Sequence, residues 1–324
     1  MGTETKDGTP GAEGAARPNA PESPGPESSA PRPSAPRPPG PTPSAPPRFV
    51  ALGDSLTEGL GDPLPGGGWR GWAALLAEAL GERPGSVRLV NLAESGALAG
   101  DVAERQLPAA RLLAPRFASL VVGANDTLRA AFDIAEVAAA LDRAHGTLTA
   151  DGAVVLTACL PDPGRMLGLP APLARPLARR MRAVNTVVHA VSARYGGVHL
   201  HLADHRWVAD RACWSVDRLH PSERGHRLLA HGFHAALTGA GLPAGPSPAL
   251  TPDGPPPTRT ASAWWMATRG TRWVADRCTD LLPGLLALAW QECRHGLAGS
   301  GRLLDAAAER ATRTALAALG PVRP

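Results

Sequence analysis

Four short blocks of this 324-residue sequence carry side chains that together permit acyl transfer. Gly53-Asp54-Ser55-Leu56-Thr57-Glu58-Gly59 sets a serine in a glycine-flanked turn, and Asn91-Leu92-Ala93-Glu94-Ser95-Gly96 ends on a glycine. Gly123-Ala124-Asn125-Asp126 offers a side-chain amide, and Asp217-Arg218-Leu219-His220-Pro221 places a carboxylate three residues before an imidazole. A serine hydroxyl is a poor nucleophile at neutral pH, so it needs an imidazole to take its proton and a carboxylate to fix the imidazole's tautomer. Ser55, His220 and Asp217 suit those roles, and the Asp-x-x-His spacing lets one loop present both partners. A tetrahedral intermediate also needs donors aimed at its oxyanion, each worth about 3 kcal/mol when deleted. The candidates are the Ser55 amide, the Gly96 amide and the Asn125 NH2.

These blocks need a scaffold that brings distant residues to one edge. Short apolar runs with β character alternate with segments of helical period: strand Phe49 to Leu52, helix Trp69 to Leu80, strand Val87 to Leu92, helix Asp101 to Leu113. Strand Ser119 to Val122, helix Ile134 to Leu148, strand Ala153 to Ala158, helix Leu173 to Ala193 and strand Val198 to Leu202 continue the pattern. Such alternation specifies an α/β fold with a central parallel sheet covered by helices on both faces, whose sites lie at the carboxyl ends of the strands. Three blocks follow the first three strands, and the fourth precedes the last helix.

In this order the blocks resemble the SGNH hydrolase family, also called GDSL lipases or esterases, over about Phe49 to Leu237. The resemblance implies a flavodoxin-like three-layer α/β/α sandwich. It makes Ser55 the nucleophile and first oxyanion donor, Gly96 the second donor, Asn125 the third, and Asp217 with His220 the acid and base pair. Gly59-Leu60-Gly61-Asp62-Pro63, Arg70-Gly71-Trp72-Ala73 and the Asp-Arg-Leu-His-Pro-Ser run look like an actinobacterial branch of that family. The residues around Ser55 lack the second glycine of the G-x-S-x-G elbow, which separates the chain from the usual α/β-hydrolases. The activity implied is hydrolysis of carboxylic esters, short acyl chains favoured, with no cofactor. The alternatives are an O-deacetylase of sugars or natural products on the same triad, and an inactive module that binds a partner or a membrane surface. Asp54 reads as a brace for its loop, since Asp217 already supplies the carboxylate. The Pro-rich stretch 161–176 is a loop that either walls an acyl pocket or is merely structural.

Composition excludes other classes. The net charge is +4, but no run of Lys or Arg is long enough to track phosphates, so no nucleic-acid partner is expected. Cys159, Cys213, Cys278 and Cys293 lie far apart without metal-ligand or disulfide-framework spacing and read as buried thiols. His199 and His201 would share one strand face, which invites a metal. No carboxylate or cysteine completes that set at a familiar spacing, so no metal site is expected, and His226, His231 and His234 read as exposed on the last helix.

Residues 1–47 are Pro, Ala, Ser and Gly with almost no large apolar side chain, a composition expected to be disordered. The hydrolase-like domain then spans 48–241, a Pro-rich linker 242–259, and a helical extension 260–324. The extension holds Trp264, Trp265, Trp273 and Trp290, an apolar run Leu281 to Trp290 too short to span a bilayer, and a stripe of Leu304, Ala308, Ala311, Ala315 and Leu319. It reads as packing on the domain or a partner, with peripheral lipid contact the sharper alternative. Met1 to Gly14 lacks an apolar signal-peptide core, and a cytoplasmic protein is expected.

Overall fold

Two runs that are apolar along their whole length, RFVALG and FASLV, become the strands β1 (Arg48–Gly53) and β3 (Phe117–Val121) at the centre of a five-stranded sheet. Continuous burial, in place of alternation, is what a parallel strand covered on both faces requires. β2 (Arg88–Asn91), β4 (Val154–Cys159) and β5 (Val198–His201) complete the order β2-β1-β3-β4-β5, with every pairing parallel. The edge strands β2 and β5 are only partly buried, in keeping with their charged and polar residues. The chain is seen here as a computed structural model that describes residues 46–81, 83, 85–203, 206–242, 245–254, 260 and 271–321.

Short helices follow three of the strands: α1 (Ser55–Glu58) follows β1, and later ones follow β3 and β4. α2 (Gly71–Ala79) comes next in the chain, and after β2 a helical stretch runs from α3 (Ala99–Asp101) through a π-helical segment, Val102–Gln106, into α4 (Leu107–Leu112). The remaining helices are α5 (Ala124–Leu128), α6 (Ile134–Ala150), α7 (Pro163–Met166), α8 (Ala171–Tyr195), α9 (Glu223–Gly239), α10 (Thr271–Leu297) and α11 (Gly301–Ala318). α2 and α9 pack together, against β2 and β5 respectively, and Trp72 of α2 stacks on Phe233 of α9 with ring centroids 4.7 Å apart. Trp72 and Phe233 are buried with Phe49 of β1, which fixes this helical layer on the sheet. α6 and α8 form the other layer.

The segment 161–176 is not one loop. Pro163–Met166 is helical, begun by an Asp162 side chain that accepts from the Gly164 N–H, and residues 171–176 already belong to α8. Pro is compatible with the first turn of a helix, where its missing N–H has no partner to lose.

α10 and α11 pack on α8, and α11 also on α6. Arg179 of α8 pairs with Glu292 of α10 at 3.0 Å and with Asp305 of α11 at 2.8 Å, which ties both helices to the layer. The inward stripe of α11 runs through Leu304, Ala308, Thr312, Ala315 and Leu319; Ala311 is exposed, and Thr312 takes the buried position. Trp290 is 68% exposed. Among the described residues no helix is long and apolar enough to cross a membrane. Residues 1–45 of the Pro-rich amino-terminal segment, linker residues 243, 244 and 255–259, and Trp264 and Trp265 lie outside the described residues.

Candidate active site

β1 and β3 are neighbours in the sheet although β2 intervenes in sequence, so the chain leaves their carboxyl ends in opposite directions and opens a crevice there. Ser55 follows β1 and Asn125 follows β3 at that crevice. Gly53 can turn out of β1 because it has no side chain: a Cβ there would collide with the Val121 carbonyl of β3. Its N–H and C=O are both taken by the Gln106 amide, at 2.9 Å each, once the sheet ladder ends. Gln106 is buried in the π-helical segment, a type of distortion often found at functional sites. The Asp54 side chain then caps α1 by accepting from the Leu56 N–H at 3.0 Å. Ser55 is thereby the first residue of α1, with a backbone N–H that has no intrahelical acceptor.

Asp217 and His220 stand on a tight loop closed by the Ser215 N–H on the His220 carbonyl and the Ser222 N–H on the Cys213 carbonyl. Arg218 at its tip takes φ 59°, a left-handed conformation uncommon for a non-glycine residue. Asp217 Oδ2 accepts from His220 Nδ1 at 2.6 Å, and His220 Nε2 meets Ser55 Oγ at 2.7 Å. The other Asp217 oxygen accepts from the Ser215 hydroxyl and the backbone N–H groups of Leu219 and His220. Burial works to raise the Asp217 carboxyl, but the His220 ring and those amides outweigh it and hold the group below the ordinary carboxylate range. The three residues taken as a triad are thus brought together in one hydrogen-bonded chain.

Ser55, Gly96, Asn125 and His220 line one cavity of about 130 Å³. Gly96 sits there at φ 87° in the turn after β2. Asn125 reaches the cavity too, but its amide also has protein acceptors: Nδ2 donates to the Ala97 carbonyl at 3.1 Å and approaches Asp54 Oδ2 at 3.4 Å. Asp126 accepts from the Ala99 N–H with both oxygens and so holds the strand-to-helix connection that carries Gly96 and Ala97. Burial pushes Asp54 and Asp126 up to about 6. The opposite wall comes from Leu160, Pro161, Pro163, Met166 and the Trp207/Trp214 pair, stacked at 4.8 Å. The stretch after β4 therefore walls the cavity, and two tryptophans do so without having been singled out from the sequence.

The stretches 59–63 and 70–73 carried the resemblance in sequence but no role, and the structure shows what they hold together. Arg70 pairs with Asp62 at 3.0 Å, Glu223 at 2.8 Å and Asp253 at 2.6 Å, joining the chain after α1 to the start of α9, just beyond His220. Gly61 lies so close to the Pro221 carbonyl that a Cβ would collide with it. The glycine-rich 59–63 stretch is thus a seat for the His220 loop. Gln106 had no sequence signal, since a glutamine in a helical pattern reads as surface.

The histidines of α9, expected to be exposed, are not solvated as a group. His226 is fully buried, accepting from the Trp72 N–H through Nδ1 and facing the Leu60 carbonyl through Nε2. His234 is also buried, with Nε2 on the Gly245 carbonyl at 2.8 Å. An imidazole can satisfy two backbone groups at once, and exposure is then unnecessary. Among the cysteines, Cys159 and Cys213 are buried but Cys293 is exposed.

Residues 51–228 match the family model of the GDSL-like lipase/acylhydrolase family. No curated protein matches the chain at a significant level. Similar solved structures include an acetylxylan esterase from Geobacillus stearothermophilus at 22% identity and TM-score 0.48, over 59% of this chain and 93% of that one. An α/β hydrolase enzyme from the metagenome of Lake Arreo, Spain, is similar at 24% identity and TM-score 0.48, over 60% and 96% of the two chains. A lipase/acylhydrolase from Enterococcus faecalis is similar at 18% identity and TM-score 0.48, over 63% and 100%. With the match spanning the strands and loops that build the crevice, the chain belongs to the GDSL-like lipase/acylhydrolase family and is an ester-hydrolysing enzyme.

Proposed function

We propose that this enzyme is a serine esterase that cleaves esters of short acyl chains through an acyl-enzyme on Ser55. The observation that carries the reading is the unbroken chain Asp217–His220–Ser55, with contacts of 2.6 and 2.7 Å. His220 Nε2 takes the proton of Ser55 Oγ as the oxygen attacks the ester carbonyl carbon. The same nitrogen then gives that proton to the departing alcohol oxygen. Asp217, ionised through its hydrogen bonds, keeps the His220 proton on Nδ1 and stabilises the imidazolium. Water, deprotonated in turn by His220, attacks the acyl-Ser55 carbonyl and releases the carboxylic acid.

The oxyanion is received by the backbone N–H groups of Ser55 and Gly96, with Asn125 as third donor. The 3.4 Å approach of Asn125 to Asp54 is the longer of its two contacts and the one that yields when the oxyanion forms. A cavity of about 130 Å³ lined in part by Met166 and two tryptophans has room for a small acyl group. Hydrolysis of p-nitrophenyl esters from acetate to palmitate tests this reading, with Ser55→Ala as control and an O-acetylated xylose as a deacetylase arm. Rates falling as the chain lengthens beyond butyrate, and abolished in Ser55→Ala, are expected. A folded protein most active on palmitate would remove the short-chain reading, and one inactive on every ester but active on the acetylated sugar would turn it into a deacetylase.

A further inference from the structure

At the β4/β5 edge of the sheet the ligand atoms of Cys159, His199 and His201 converge, and the His189 ring lies beside them. β4 and β5 pair Thr157 with His199 and Cys159 with His201, so both histidines and both β4 residues point to one face. That face is covered by α8, which adds His189. The ligand atoms of Cys159, His199 and His201 all lie within 4.8 Å of one another. The ring centroids are 4.7 Å apart for His199 and His201, 5.1 Å for His189 and His199, and 5.2 Å for His189 and His201.

We propose that Cys159, His189, His199 and His201 form a binding site for Zn²⁺, a structural clamp that ties the ends of β4 and β5 to α8. Tetrahedral Zn²⁺ with Zn–N bonds of ~2.0–2.1 Å sets the centroids of ligating imidazoles roughly 5 Å apart, which is the spacing of this triangle of rings. One thiolate with three imidazoles is a donor set matched to zinc's borderline softness. His199 Nδ1 lies 2.8 Å from the Thr157 hydroxyl, leaving Nε2 toward Cys159 Sγ at 3.0 Å. A ring N–H held by a hydroxyl, with the other nitrogen turned to the ion, is the usual outer support of a metal-bound histidine. A tetrahedral ion holds sulfur and nitrogen ligands about 3.5 Å apart, so the Cys159–His199 contact opens by roughly half an ångström on binding. The Cys159 thiol gives its proton to solvent as the Zn–S bond forms.

His189 and His201 are exposed, so the ion has a path from solvent. The site also borders the catalytic cavity without entering it: Leu160 and Leu202, the residues after Cys159 and His201, line the cavity wall. Sequence spacing concealed the arrangement because Cys159 lies 40 positions from His199 and becomes its neighbour only through strand pairing.

The full chain, stripped with a chelator, is titrated with Zn²⁺ by calorimetry and with Co²⁺ by absorbance. One equivalent of Zn²⁺ is expected to bind, and Co²⁺ to give tetrahedral ligand-field bands with a thiolate charge-transfer band that is lost in Cys159→Ser. The exposed position of His189 makes His189→Ala the variant that leaves packing intact, and its Zn²⁺ affinity should fall about a hundredfold or more. Thr157→Val should lower affinity about 10–100-fold. No stoichiometric binding by the folded wild type, or binding unchanged in both His189→Ala and Cys159→Ser, would overturn the site.

Discussion

Ser55 Oγ and His220 Nε2 meet at 2.7 Å across 165 positions of sequence, because β1 delivers the serine and a loop braced against Gly61 delivers the histidine. Neither residue's own element sets that distance. It depends on the sheet order at the crevice and on the tight closure of the Ser215–Ser222 loop.

The Asp217 carboxylate places one oxygen on the His220 ring and the other on its own loop, so in the proposed mechanism it both positions the ring and supports its charge. Asp217→Asn keeps the size but offers an N–H where the ring needs an acceptor. kcat for p-nitrophenyl acetate should fall by about 10³–10⁴ with little change in KM, since only the proton-transfer steps lose support. Because Asp217 is held below the ordinary carboxylate range, wild-type activity should show no inflection from this group between pH 5 and 9. A decrease in kcat of less than tenfold in Asp217→Asn would show that another group orients His220.

Asp54 presents the opposite electrostatic case. Burial raises it to about 6 from 3.8, so the folded protein keeps a proton that the unfolded chain releases as pH rises from about 4 to 6. The folded state then binds more protons than the unfolded one, and stability falls across that window and levels off above it. Asp54→Asn retains an oxygen to cap α1 but carries no charge. Urea unfolding at pH 4 and pH 7 should show the variant gaining on wild type as pH rises, by roughly 2–3 kcal/mol. Equal pH dependence in the two proteins would mean that the buried carboxyl is not proton-linked.

The Arg179–Glu292 pair is nearly withdrawn from solvent, with side chains 13% and 6% exposed. Replacing Glu292 by Ala leaves the guanidinium with Asp305 alone, itself 48% exposed. A loss of about 3 kcal/mol is expected in urea unfolding, with kcat of the folded enzyme unchanged, because neither Arg179 nor Glu292 lines the cavity. A loss of kcat without a loss of stability would instead connect these helices to the cavity.

The strand and helix alternation was readable because β1 and β3 are continuous apolar runs and α6, α8 and α9 are long and periodic. That Ser55, Gly96, Asn125, Asp217 and His220 would be brought together was readable because each lies in a short block whose neighbours are distinctive. Short elements were not: α1 and α5 have four or five residues, too few for a period, and begin inside the motif blocks themselves. Side chains whose role depends on what lies across a strand or helix gap were also hidden. Gln106 on Gly53, Arg70 on Glu223 and Cys159 beside His199 each arise from contacts between residues 40 or more positions apart. The burial of His226 was hidden for the same reason, since the Trp72 N–H that it accepts comes from the far end of the domain.

The most direct measurement is labelling of the intact, folded protein with a fluorophosphonate, followed by peptide mapping of the modified residue. A phosphonate should be found on Ser55, strongly reduced in His220→Ala and absent in Ser55→Ala. A folded wild type that takes no label, or takes it on another serine, would contradict an activated Ser55.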